Sequence, residues 1–137
     1  MAGGMAARLD RTRLEVYLPA AEPAIAQARA TVDRLEALDR HPDARFAVRL
    51  LVSELFTNAV KYGARRREAR VRFVVDVRES RIRVEVCDRG RGFFPGEVEM
   101  PHPDAESGRG LAFLDALASR WGVVRSDESC VWFELDI

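Results

Sequence analysis

Lysine is almost missing from this chain of 137 residues: of its 22 basic residues, 21 are arginine and only Lys61 is lysine. A phosphate-binding P-loop needs Gly-Lys-Ser/Thr, and Lys61 lies in Val60-Lys61-Tyr62 with no glycine before it. The strand lysine and His-Arg-Asp loop of eukaryotic-type protein kinases are absent as well. Cysteine is scarce: Cys87 and Cys130 stand far apart, without a CxxC pair, and predict no disulfide framework. The two histidines, His41 and His102, have no metal-ligand or triad spacing. No stretch is apolar enough for a signal peptide core or a bilayer span, so the reading is a cytoplasmic protein without membrane contact. Net charge is lacking too: 22 basic residues cancel 22 acidic ones, which argues against direct nucleic-acid binding.

What is present is the make-up of a globular domain. Apolar residues form 47% and charged residues 32% of the chain, the balance of a globular domain with enough core to fold, which argues against disorder. Residues 1–12 are small and polar and read as a flexible N-terminus, leaving 13–137 as a single domain. Leu14 to Leu18 alternates and runs into Pro19, which predicts a short edge strand. Helical spacing of Ile25, Ala28, Val32, Leu35 and Leu38 predicts a helix over 22–38, broken near Pro42. A second helix is expected over 43–62, with Phe46, Leu50, Leu51, Leu55, Phe56, Ala59 and Val60 apolar and Gly63 as its stop.

Two strands of period 2 follow. Val71, Phe73, Val75 and Val77 share one face, Ile82, Val84 and Val86 share another, and the short Glu79-Ser80 link makes them an antiparallel hairpin. Residues 93–107 hold three prolines and read as a long functional loop. A helix over 108–120 is expected to bury Leu111, Leu114, Leu117 and Ala118, and strands at 121–125 and 130–137 close the chain. Trp121 and Trp132 read as core residues, Cys87 as an inert buried thiol, and Arg65-Arg66-Arg67 as a solvated loop. The order β-α-α-β-β-loop-α-β-β predicts an α/β fold of the α+β two-layer type. Its sheet would be mixed, largely antiparallel, with helices on one face.

Three short patterns carry chemistry. Glu54-Leu-Phe-Thr-Asn58 puts a carboxylate and a carboxamide one helical turn apart, beside apolar positions. Read alone, the pair is either a solvated edge or a carboxylate base beside a hard-cation ligand, Asn58 acting through its carbonyl oxygen. Asp88-Arg89-Gly90-Arg91-Gly92 directly follows a strand. It is either a plain turn or a place where backbone approaches a ligand. A dinucleotide fingerprint is excluded, because Pro95 stands where its third glycine is required. Ser107-Gly108-Arg109-Gly110 opens a helix, and two glycines there are a cost that an anion held on free N–H groups would offset.

The order and spacing of these patterns together resemble the GHKL ATPase family over roughly residues 14–137. Ser53 to Gly63, and Gly110-Leu111 through Trp121-Gly122, make the chain most similar to the bacterial anti-sigma-factor serine-protein kinase branch. The resemblance implies a Bergerat-type ATP-binding fold with ATP and Mg²⁺ as cofactors. By the same resemblance Asp88 accepts the adenine amino group, while Gly90 and Gly92 let backbone lie near the base. Asn58 holds Mg²⁺, Gly108, Arg109 and Gly110 meet the phosphates, Glu54 is the catalytic base, and 93–107 forms a lid. A protein kinase of this branch phosphorylates an anti-anti-sigma (STAS-type) antagonist, sequesters a sigma factor, and commonly forms a homodimer. The alternatives are a nucleotide-binding interaction module without phosphotransfer and the catalytic fragment of a histidine kinase. His41, next to Pro42 and between helices, suits the last poorly. Related chains carry Gly-Thr or Lys-Thr before the final strand, where this one has Glu128-Ser129-Cys130.

Overall fold

Alternating apolar residues become five strands, and the computed structural model describes them within residues 12–63, 70–88 and 109–137. Strand β1 spans Thr12–Pro19, β2 Arg70–Val77, β3 Arg81–Asp88, β4 Arg120–Arg125 and β5 Ser129–Asp136. Their order across the sheet is β1-β2-β3-β5-β4, and every pairing is antiparallel. The expected mixed character therefore resolves to a fully antiparallel sheet. The short turn between β2 and β3 is closed by the Arg78 N–H donating to the Arg81 carbonyl at 2.8 Å. β1 lies at the edge, where Pro19 removes no ladder bond from a central strand.

One face of the sheet is covered by helices. Helix α1 spans Pro23–Asp33, α2 Pro42–Gly63 and α3 Arg109–Leu117. The period-2 residues anticipated for this face are buried as expected: Val71, Phe73, Val75 and Val77 from β2, then Ile82, Val84 and Val86 from β3. Against them pack Val48, Leu51, Val52, Leu55 and Phe56 of α2, with Phe56 and Phe73 edge to face at 5.4 Å between centroids. Pro42 opens α2, Asp43 lies in its first turn and Lys61 in its last, each placed favourably for the helix dipole.

Four expectations are corrected. The helix predicted over 22–38 ends at Asp33: Leu35 is extended, and Glu36–Leu38 forms a separate 3₁₀ turn. The break lets both Leu35 and Leu38 enter the core, and Arg45 secures it by donating to the Leu35 carbonyl and, at 2.8 Å, to Asp39. Phe46 is 68% exposed, because the apolar stripe of α2 is wider than the face the sheet covers. Leu117 is likewise exposed at the end of α3, leaving Leu114 as that helix's wholly buried side chain among those described. Trp132 lies on the outer face of the sheet. There it covers Gly122 and receives the Arg83 guanidinium 4.4 Å from its ring centroid. Trp121 does pack against the core.

Candidate functional site

Polar residues are rare on the helix side of the sheet, and their positions define the site. Asp88 is the last residue of β3, opposite Val71 of β2 and Ser129 of β5. Strand alternation turns it to the same side as Val86, where it is 6% exposed. Asn58 of α2 is 4% exposed, and its Nδ2 has no hydrogen-bond partner among the described residues. A buried amide left unsatisfied costs roughly 1–3 kcal/mol, so a group that hydrogen-bonds to this carboxamide would be stabilised there.

The register of α2 over the sheet brings these two groups to one end. The first turn of α2 and residues Leu135–Ile137 line a common cleft, so the helix starts near the beginning of β3, where Arg81 pairs with Asp136. Further along, Phe56 meets Phe73, which stands opposite Val86. Asn58 is two residues beyond Phe56, about 3 Å along the axis, in the direction of the Val71–Asp88 pair. Glu54 lies one turn earlier on the same edge of the helix. It is half-buried and makes no hydrogen bond or ion pair among the described residues.

The turn of α2 that carries Glu54 is pinned from α1. The Arg29 guanidinium donates to Ser53 Oγ at 2.7 Å, and Ser53 Oγ donates to the Arg49 carbonyl at 2.7 Å. No local pattern marks Arg29 for this role, although a serine within an apolar helical stripe is a sign that Ser53 needs a partner. Chemically, the arrangement offers an untethered carboxylate able to take a proton, a buried carboxamide, and a carboxylate able to accept from a base-like N–H group.

Arg109 and Gly110 open α3, which packs on α2, so the helix start predicted by the glycine pattern is present. Gly90, Gly92, Gly108 and the expected lid at 93–107 lie outside the described residues, as do Arg65-Arg66-Arg67 and His102.

The cysteines require a correction. Although 43 residues apart in sequence, Cys87 and Cys130 are register partners on β3 and β5 and form a disulfide. Their Cα atoms are 4.1 Å apart, near the roughly 4.5 Å of a non-hydrogen-bonded antiparallel pair. The bridge lies on the outer face, directly behind Asp88. Arg72 sits over it, with Nη2 3.3 Å from Cys87 Sγ and 3.1 Å from Glu128 Oε1. The hydrogen bond to Glu128 raises the Arg72 pKa further. Glu128 and Cys130 thus belong to this outer cluster.

A family model described as a histidine kinase-like ATPase domain matches residues 18–135, from the end of β1 to the end of β5. No curated protein matches the chain.

Proposed function

The chain belongs to the histidine kinase-like ATPase family, and from that premise we propose that it is an ATP-dependent serine/threonine protein kinase and anti-sigma factor. Its substrate is a hydroxyl on a STAS-type antagonist protein, and its second partner is a sigma factor. The family match supports ATP binding. The observation that carries the finer reading is the pair on α2: an untethered, half-buried Glu54 one turn before a buried Asn58 with an unpartnered amide.

In this reading Asp88 accepts the adenine amino group, and Gly90 and Gly92 admit the base. Gly108, Arg109 and Gly110 meet the phosphates at the start of α3, where free N–H groups favour an anion. The donor set fits Mg²⁺, which takes oxygen ligands and keeps most of them as water and phosphate. One buried carboxamide is then a sufficient protein ligand, and a half-turn about its terminal bond presents oxygen where nitrogen now lies. Bound at Asn58, the ion would neutralise phosphate charge. Glu54 takes the proton of the substrate hydroxyl as its oxygen bonds to the γ-phosphorus and the bond to the bridging oxygen of ADP breaks.

The test is Glu54→Ala assayed with Mg·ATP and the antagonist. Phosphoserine or phosphothreonine formation is expected to fall about 10²–10⁴-fold while nucleotide still binds. Wild-type protein that binds nucleotide and partner but transfers no phosphoryl group would instead support a nucleotide-dependent interaction module. The commitment of Glu128 and Cys130 to the outer face is the observation that favours this second reading.

A further inference from the structure

We propose that Cys87 and Cys130 are a thiol–disulfide exchange site, a reversible clasp across β3 and β5 whose redox state sets how firmly Asp88 is held. The effect on nucleotide rests on the function proposed above; the exchange chemistry does not.

Position is the first argument. Asp88–Ser129 is the terminal pair of the β3–β5 ladder, and Cys87–Cys130 is the pair just before it. Ladder ends open at little free-energy cost, so a covalent bond one pair from the end acts where opening is easiest. Asp88 points to the helix side and Cys87 to the outer side, so the clasp reaches the site through backbone order without occupying it.

Access and chemistry point to exchange. Cys87 is wholly buried, whereas Cys130 is half-buried and pairs across the sheet with Val124, which is 50% exposed. An incoming thiolate therefore attacks Cys130 Sγ. The S–S bond breaks and Cys87 Sγ leaves with the electron pair, as a thiolate 3.3 Å from the Arg72 guanidinium. A cation beside the departing sulfur lowers its basicity and speeds its loss. The second thiol of the attacking dithiol then displaces Cys130 from the mixed disulfide. In sum, one protein disulfide and one external dithiol give two protein thiols and one external disulfide, with two electrons and two protons transferred. Glu128 faces the same sulfurs, and its carboxylate oxygen with the two Sγ atoms forms a group within 4.8 Å. That donor set would suit a soft divalent cation, but the Arg72 guanidinium already lies on the sulfur and opposes one.

The experiment uses the full chain, oxidised or treated with dithiothreitol under native conditions, with thiols counted and Mg·ATP affinity measured by calorimetry in both states. Release of two thiols without denaturant is expected, with ATP binding about five-fold or more weaker after reduction. Cys130→Ser should bind ATP at the reduced value and be indifferent to dithiothreitol. Hydrogen exchange at residues 86–88 and 129–131 should quicken on reduction. Thiols released only in denaturant, or identical affinity and exchange in both states, would overturn the proposal. If the oxidised protein binds no ATP, the kinase reading fails, and thiol release with hydrogen exchange still decides the clasp.

Discussion

On the helix side of β3 a row of Ile82, Val84 and Val86 is fully buried and ends in Asp88; on the outer side Arg81, Arg83 and Glu85 lead to Cys87. The same strand thus carries two kinds of cohesion. The helix side is held by burial, which is non-directional and tolerates few polar groups. The outer side is held by directed contacts. Glu134 accepts from Arg120 at 2.8 Å and from Arg83 at 3.2 Å, Arg83 lies on Trp132, and Arg72 bridges Glu128 and the disulfide. The buried polar groups differ accordingly: Asn58 and Asp88 lie at one end of the helix side, whereas the buried Glu134 of the outer side is held by Arg120 and Arg83.

The contrast is sharpest in the core. Phe73→Ala should cost about 3–5 kcal/mol in urea unfolding, since it removes the ring that Phe56 meets edge-on and leaves a cavity. Arg83→Ala on the other face should cost no more than about 1 kcal/mol. Comparable losses would erase the distinction between the faces. Asp88→Asn tests the margin: calorimetry should show ATP affinity reduced about 10- to 100-fold, the scale of one hydrogen bond to a charged group, with the protein still folded. Gly122→Ala probes the outer face, where an added Cβ would lie 2.8 Å from Trp132 Nε1. The indole must shift off the glycine and from under Arg83, so a loss of about 1–2 kcal/mol with changed tryptophan fluorescence is expected.

The smallest effect concerns pH. The hydrogen bond from Arg120 holds the Glu134 carboxyl below its ordinary range, with Arg83 and Arg81 adding to it. A carboxyl depressed in the folded state binds fewer protons there than in the unfolded chain. Its contribution is therefore complete above the ordinary carboxylate pKa of about 4.3 and is lost as pH falls through the lower folded value. Glu134→Gln should flatten that part of the stability-against-pH curve and leave the neutral-pH fold intact.

The strands were legible because a half-buried sheet writes period 2 into the chain, as in Val71-Phe73-Val75-Val77, and a short turn fixes the hairpin register. The Glu54–Asn58 spacing was equally legible, because helical geometry alone sets it. Other features depend on partners distant in sequence. Nothing near Phe46 or Leu117 tells how much of a helix its neighbours cover, and the end of α1 at Asp33 follows from Leu35 and Leu38 both reaching the core. Trp132 looked like core because its hydrophobic bulk hides the fact that its register partner is a glycine and its cover an arginine. The disulfide was out of reach for the same reason: two cysteines 43 residues apart meet only because β5 inserts between β3 and β4.

That insertion has a consequence for assembly. β2–β3 and β4–β5 are local hairpins, but the β3–β5 pairing that joins them must close over residues 89–128. Closing a long loop costs entropy before any contact repays it. With the Cys87–Cys130 bond reduced, so that nothing holds the loop closed in the unfolded chain, the two hairpins are therefore expected to form first and the seam between them to zip last. Folding kinetics of conservative variants under reducing conditions should show lower φ-values at Val131 than at Val75. Asp88 stands at the loop end of that seam, so a ligand bound there would grip the joint that the reduced chain is slowest to make.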